Sequence, residues 1–163
     1  SEISSMGLTP SSKLIEFEVI TPTPDLVKVL ELTSSDKSVY KFTRIRIVDE
    51  EPLFLETSFY PQYLYPKLTR ELLKTHSFYS LLYEVGIAPA SAVDSYEAVI
   101  LGREEAELLG CRPGNCAFSV QRRTRTETGM IYEYKQSLIR ADRVTLDVYL
   151  HKDGVSFTRS VDK

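Results

Sequence analysis

Four polar side chains on two neighbouring segments have the chemistry of an anion-binding surface. Arg44 and Arg46 alternate with aliphatic residues on the first segment, and Glu56 and Ser58 have the same spacing on the second. Side chains two residues apart on a β-strand point to the same face. Guanidinium groups form paired, charge-assisted hydrogen bonds with anions such as phosphate. The pattern predicts a recognition surface for a small polar anion if another layer covers this face, and an ordinary solvated sheet face if none does.

The segments that carry these residues predict two strands joined by a tight turn. A long strand is expected at 37–48 and a second strand at 53–60, because polar and apolar residues alternate in the first and aromatic and aliphatic residues dominate the second. The residues Asp-Glu-Glu-Pro at 49–52 predict the turn, since proline is excluded from the interior of a central strand.

Elsewhere, hydrophobic periodicity and glycine or proline breaks predict further strands that alternate with short helices. The expected elements are a strand at 13–21, a helix after Pro24, a helix at 76–85, an extended segment at 88–101, a helix at 103–109, a hairpin of 115–127 and 130–142, and a strand at 143–150. Residues from His151 onward predict either a polar tail or an edge strand. A linker rich in glycine or serine is absent from the sequence, which favours one domain.

The two halves of the chain are similar in sequence. A shift of 79 positions aligns Arg44 with Arg123 and Arg46 with Arg125, and the order strand, helix, strand, strand recurs. In the second half, Glu133 corresponds to the glutamate of the first hairpin. Such a unit leaves an apolar sheet face that needs a cover. We therefore expect an α+β fold, with a largely antiparallel six-stranded sheet from two β-α-β-β halves, helices packed on it, and both sets of polar residues in a shared cleft.

Composition excludes several functional classes. The chain has 163 residues, 42% of them hydrophobic and 26% charged, which is typical of a globular domain. A net charge of −3 argues against nucleic-acid binding by this segment alone. The two cysteines lack metal-site spacing, and the two histidines have no acidic or nucleophilic neighbour in sequence, so neither a metal nor catalysis is indicated. The sequence has neither an apolar run of spanning length nor a signal-peptide pattern, which favours the cytoplasm.

Five segments, in their order and spacing, resemble a known family. They are Arg44-Ile45-Arg46, the stretch from Glu51 to Tyr60, Ser77-Phe78-Tyr79, Glu133-Tyr134-Lys135-Gln136-Ser137 and Arg140-Ala141-Asp142-Arg143. Over about residues 7–150, this combination is similar to the effector-binding domain, called UTRA, of HutC-subfamily GntR-type transcription regulators. That domain is similar in fold to chorismate lyase.

The resemblance implies a sensing role without catalysis and without a cofactor. Regulators of this kind act as homodimers and contact DNA through an amino-terminal winged helix–turn–helix, so DNA would be bound only by a domain that is missing here. Residues 1–12 would be the remnant of the linker to that domain. Residues 13–163 would form the effector-binding domain with a polar carboxy-terminal tail, located in the cytoplasm and not on a membrane.

The resemblance also implies that a small phosphorylated effector, a sugar or amino-sugar phosphate, is bound. Arg44 and Arg46 would bind its phosphate, and Ser77 and Tyr79 would complete that pocket. Glu56 and Glu133 would hydrogen-bond the sugar. The shared sheet face and the second half add four further expected ligand-binding residues, which are Ser58, Arg123, Arg125 and Ser137. An aromatic residue common in the late motif is replaced here by Ile139, which leaves the sugar undetermined.

Two other functions compete with sensing. A chorismate lyase-like enzyme would share the fold and would also hold a small anionic substrate with arginines, since fold similarity does not determine activity. A pure dimerisation module would keep only a vestigial pocket. For single residues, a structural role is the alternative: Glu56 and Glu133 as partners of the arginines, Ser77 as a helix cap and Tyr79 as a core aromatic.

Overall fold

Strands dominate residues 10–162, the part of the chain that this computed structural model describes. The strands are β1 (Pro10–Ile20), β2 (Val39–Val48), β3 (Glu51–Pro61), β4 (Ser91–Ile100), β5 (Cys116–Arg125), β6 (Ile131–Arg140), β7 (Val144–His151) and β8 (Gly154–Val161). The helices are α1 (Pro24–Val29), α2 (Arg70–Thr75), α3 (Phe78–Glu84) and α4 (Arg103–Leu108), with a 3-10 turn at Gln62–Leu64. Most of the expected linker remnant, residues 1–9, lies outside the described residues, whereas 10–12 belong to β1.

Six strands form one antiparallel sheet in the order β1-β2-β3-β6-β5-β4. The first half supplies β1-α1-β2-β3 and the second supplies β4-α4-β5-β6, and the halves meet where β3 pairs with β6. This arrangement confirms the predicted α+β fold of two β-α-β-β halves. Helices α2 and α3 are inserted between the halves in sequence.

The back face of the sheet, defined as the face covered by α1 and α4, carries the apolar side chains of both halves. Leu26 and Leu30, at α1, are buried against a cluster that includes Phe59. Ala106 and Leu109, at α4, are fully buried in the equivalent cluster of the second half. Because each of these helices is only six residues long, burial of these side chains, rather than intrinsic helix propensity, stabilises them.

The front face, defined as the face that carries Arg44 and Glu56, is covered at its two ends and polar in between. At one end, Phe78 of α3 packs against the rings of Tyr40, Phe42 and Tyr60, with centroids 4.6 to 6.3 Å apart. At the other end, the β7–β8 hairpin closes over a cluster that contains Phe54, Val120, Ile139 and Val144. Residues 154–161 are therefore a paired strand rather than a polar tail.

The β2–β3 turn is tighter than predicted. Only Asp49 and Glu50 form it, and both have positive φ, 49° and 68°, the geometry of a two-residue type I′ hairpin. Glu51 and Pro52 are the first residues of β3. The register shifts between Arg46 and Ile47, and this bulge accommodates the proline inside a strand.

Glu50→Gly is expected to stabilise the fold by about 0.5–1 kcal/mol, because an L-residue at positive φ is strained and glycine is not. Urea unfolding measures the free energy of unfolding directly. The matched control is Glu127→Gly in the β5–β6 turn, where φ is not positive, and it should give no gain. A loss of stability in Glu50→Gly would show that the side chain stabilises the turn more than its backbone strains it.

The late arginine motif has a structural role at the β6–β7 connection. Arg140 is 11% exposed, and it donates to both carboxylate oxygens of Asp142. Arg140 and Arg143 also both pair with Glu51. These ion pairs join the β6–β7 connection to the start of β3, so the motif positions the first hairpin against the second.

Candidate ligand-binding site

Strand register brings the predicted polar residues of the first hairpin into one row on the front face. Arg44 pairs with Glu56 across β2 and β3, and Glu56 pairs with Ser137 across β3 and β6. In the next row, Ser58 pairs with Lys135. The expectation that Arg44, Glu56 and their neighbours share a face is confirmed, and that face is covered at both ends of this row.

A cavity of about 400 Å³ lies above this row, within the range of about 300–1,000 Å³ that is usual for small-molecule sites. The sheet contributes Arg44, Arg46, Glu56, Ser58 and Lys135 to its wall. The end of α2, the start of α3 and the two residues between them, together 73–79, form the opposite wall, and Ser11 and Ser12 of β1 also line the cavity.

The two arginines at the cavity are held in different ways. Arg44 donates through Nη2 to the carbonyl oxygen of Leu73 at 2.8 Å, and its guanidinium lies 5.8 Å from the centre of the Phe42 ring. Burial lowers the pKa of Arg44, and the Glu56 carboxylate opposes that shift. The Arg46 side chain is 40% exposed and has its Nε 3.6 Å from Glu56. Both side chains line the cavity, as an anion site requires.

Glu133 is fully buried and its carboxylate already has three hydroxyl donors. Tyr60 and Thr124 donate to it, the latter at 2.7 Å, and Tyr79 lies 2.7 Å and 2.9 Å from its two oxygens. The register shift between Thr124 and Arg125 gives β6 an extra residue, Tyr132, so both Tyr132 and Glu133 lie on the front side. Burial, together with the Glu133 charge, raises the pKa of the Tyr60 and Tyr79 hydroxyls, so both remain protonated donors.

Tyr79 and Ser77 lie where α3 meets the cavity. The hydroxyl of Tyr79 is directed to Glu133, and Tyr79 lines the cavity whereas Glu133 does not. Ser77 caps α3 by accepting from the backbone N–H of Ser80 at 3.2 Å. The predicted cap is confirmed, and the Ser77 side chain also lines the cavity.

Arg123 and Arg125 do not lie at the cavity, which corrects the expectation drawn from the repeat. Arg123 is exposed on the back of the sheet, and Arg125 binds the carbonyl oxygen of Gly129 at 2.7 Å and Glu31 at 3.0 Å. The front residues of both β2 and β5 are even-numbered. A shift of 79 is odd, so it aligns the front of one strand with the back of the other.

The remaining two predicted serines have different positions. Ser58 is buried and lines the cavity beside Glu56. Ser137 is also buried and pairs with Glu56 and Val120, but it is not among the cavity residues. Ser137 supports the wall and does not form its surface.

Sequence reasoning missed Lys135 as a site residue. It lies between Glu133 and Ser137 in the Glu-Tyr-Lys-Gln-Ser motif. Because side chains two residues apart share a face of a strand, this spacing could have indicated that Lys135 faces the site. Its Nζ is 3.8 Å from Glu56 and 3.8 Å from Glu133. Lys135 therefore connects the two glutamates that the family resemblance implies as ligand contacts.

Arg122, and not Arg123, lies on the front side of β5, outside the cavity, and its partner is Asp94 on β4. Two hydrogen bonds of 2.7 and 2.8 Å join them, and these bonds lower the pKa of Asp94 against the opposing effect of burial.

Within residues 10–162, no group of three or more His, Cys, Asp or Glu side chains has the geometry to hold a metal ion. No helix in the same range is long and apolar enough to cross a bilayer.

Asp94→Asn is expected to lower the free energy of unfolding by about 1 kcal/mol at pH 7. Because the folded pKa of Asp94 is depressed, its ion pair stabilises the fold above the unfolded pKa, about 3.9, and this contribution is lost as pH falls through the folded value. Urea unfolding at several pH values should show the wild type and the variant converging below about pH 4. Asp153→Asn, in the β7–β8 turn, is the control. A difference that stays constant down to pH 2 would contradict this assignment.

One family model and two related proteins match most of this chain. A family model described as the UTRA domain matches residues 5–145. The HTH-type transcriptional repressor NagR of Bacillus subtilis strain 168 is 30% identical over 155 residues, which cover 93% of this chain and 62% of that protein. The HTH-type transcriptional repressor PhnF of Mycolicibacterium smegmatis is 26% identical over 147 residues, which cover 90% of this chain and 60% of that protein. The chain thus spans about three fifths of the length of these two relatives.

Solved structures agree with the sequence comparison. The crystal structure of the effector domain of PhnF from Mycobacterium smegmatis superposes with a TM-score of 0.81 at 26% identity and covers 91% of each chain. A GntR-family transcriptional regulator from Enterococcus faecalis V583 superposes with a TM-score of 0.76 at 25% identity, over 87% of this chain and all of that one.

Proposed function

We propose that this chain, which belongs to the UTRA domain family, senses a small phosphorylated metabolite for a GntR-type transcription regulator. The observation that carries the proposal is the cavity of about 400 Å³ above Arg44 and Arg46. Lys74 and Lys135 also line it, whereas Glu56 is the one carboxylate among the described lining residues. A small ligand that carries a phosphate or another anion matches this charge balance.

The arginines are suited to bind such an anion. A guanidinium stays ionised at all physiological pH values and offers paired donors to phosphate oxygens. Arg44 already directs one donor into the cavity wall, at the carbonyl oxygen of Leu73. A bound phosphate would replace or share that contact. Ser77 and Ser58 add hydroxyl groups beside the anion, and the remaining wall is polar enough to bind a hydroxylated remainder such as a sugar.

Sensing is favoured over catalysis by two observations. The buried carboxylate at the site, Glu133, accepts three hydroxyl hydrogen bonds and is separated from the cavity, so it is poorly placed to transfer protons. The curated relatives are named as transcriptional repressors. A chorismate lyase-like enzyme remains the alternative, and release of 4-hydroxybenzoate from chorismate by this chain would establish it.

Regulation would require that the ligand bind one conformation of the regulator more tightly than another. Two parts of the cavity wall are candidates for this coupling. Residues 73–79 change surroundings if a ligand takes Arg44 from Leu73. Ser11 and Ser12 place the start of β1 at the cavity rim, next to residues through which the linker to a DNA-binding domain would run. We propose that the regulator is a cytoplasmic homodimer that contacts DNA through that separate domain.

Calorimetric titration with inorganic phosphate, sugar phosphates and the matching unphosphorylated sugars tests the proposal. We expect the phosphorylated compounds to bind and the unphosphorylated sugars to bind much more weakly. A folded chain that binds none of these anions would overturn the sensor proposal and favour a dimerisation module with a vestigial pocket.

A further inference from the structure

A cation of the chain itself occupies the space between the two carboxylates of the site. Lys135 Nζ lies 3.8 Å from Glu56 and 3.8 Å from Glu133. It also lies 3.3 Å from the Tyr79 hydroxyl, to which it donates, and 5.2 Å from the centre of the Tyr79 ring. The Lys135 side chain is only 13% exposed, yet it lines the cavity. Contacts with three residues therefore hold the ammonium in one place.

These contacts neutralise the carboxylate that a ligand can reach. Glu56 has the Lys135 ammonium on one side and Arg46 Nε, at 3.6 Å, on the other. Glu133 is fully buried behind Tyr79. An ammonium group on a ligand would meet an already paired Glu56 and would lie close to Lys135. Two like charges in a partly desolvated site repel each other.

We infer that Lys135 determines specificity, so that the site takes a phosphorylated ligand whose remainder is uncharged and rich in hydroxyl groups, and discriminates against ligands that carry an amine. The Lys135 ammonium donates hydrogen bonds and Glu56 accepts them, whereas the single proton of the Tyr79 hydroxyl is already donated to Glu133. A ligand hydroxyl can do both, whereas an ammonium only donates. This inference rests on the proposed function, and it favours a sugar phosphate over an amino-sugar phosphate.

A matched ligand pair tests the inference. Glucose 6-phosphate and glucosamine 6-phosphate have the same size and differ by one hydroxyl or ammonium group. Isothermal titration of the wild-type chain should show about tenfold or greater preference for glucose 6-phosphate, from like-charge repulsion screened by water. Lys135→Gln should reduce or invert that ratio. Lys74→Gln is the control, since Lys74 also lines the cavity but is 52% exposed and pairs with Glu71; it should leave the ratio unchanged.

The possible results separate this inference from the function on which it rests. Inorganic phosphate, titrated in parallel, reports on the anion site alone. Equal or tighter binding of glucosamine 6-phosphate by the wild type would overturn the role of Lys135, and this result needs no variant to fold. An unchanged ratio in a folded Lys135→Gln chain would also overturn it. Binding of phosphate without either sugar phosphate would overturn the inference alone, whereas no binding of phosphate would overturn the sensor function as well.

Discussion

Arg44→Ala is expected to weaken binding of inorganic phosphate about 100-fold, because truncating a charged donor to a partly desolvated anion costs about 2–3 kcal/mol. Arg44 is the better held of the two cavity arginines, since it contacts both Leu73 and the Phe42 ring. Titration calorimetry measures the affinity. The same change removes the hydrogen bond to Leu73, so we also expect about 1 kcal/mol less stability in urea unfolding.

Arg123→Ala is the matched control for Arg44→Ala. It removes the same charge from the same sheet, but Arg123 is exposed on the back face and outside the cavity. Phosphate affinity should change by less than about twofold, the effect of a distant and screened charge. If both variants lost affinity equally, the anion would be held by the overall charge of the chain and not by the cavity.

Glu133→Ala is expected to lower the free energy of unfolding by about 4 kcal/mol. The change leaves the buried hydroxyls of Tyr60 and Thr124 without their acceptor, and each unpaired donor costs about 1–3 kcal/mol. The Tyr132 hydroxyl is also buried, and among residues 10–162 it has no hydrogen-bond partner. For a domain whose total stability is about 5–15 kcal/mol, this is a large fraction.

Two further variants separate structure from ligand binding at Glu133. Glu127→Ala, in the exposed β5–β6 turn, should leave the free energy of unfolding nearly unchanged. Glu133→Gln keeps the shape and one acceptor, so a loss of about 2 kcal/mol is expected. If Glu133→Gln instead kept full stability and lost ligand affinity, Glu133 would be a ligand contact, as the family resemblance implies, and not the buried acceptor described here.

Much of the site could be predicted from residue types and strand periodicity. Arg44, Arg46, Glu56 and Ser58 lie on one face because side chains of a strand alternate, and this holds whatever the rest of the fold does. The helix cap at Ser77 is equally local, since it depends on one hydroxyl and one N–H three residues later. Such local rules were sufficient for the first hairpin and for the order of elements in both halves.

The second half shows where local rules fail. The two helices that pack on the back face are capped at Thr23 and Gly102, which are 79 positions apart, so the repeat is valid there. Beyond the helices, an odd difference in length between the two connections inverts which side chains of β5 face forward. Arg122 therefore takes the front position that the repeat assigned to Arg123. A sequence comparison does not reveal this inversion, because a loop can gain or lose one residue with almost no change in the free energy of unfolding.

The sequence by itself determined the α+β class, the two-fold repetition of strand, helix, strand and strand, and an arginine pair on one sheet face, because periodicity and turn residues act over a few positions. Only the tertiary structure decided that this face is covered at both ends, that Glu133 is buried as the acceptor of Tyr79, and that Lys135 lies between the two carboxylates. These features depend on contacts between residues as far as 79 positions apart in the chain, such as Glu56 and Lys135. Burial and charge pairing between residues so far apart in sequence depend on how the sheet packs against α3 and the β7–β8 hairpin, which cover its front face.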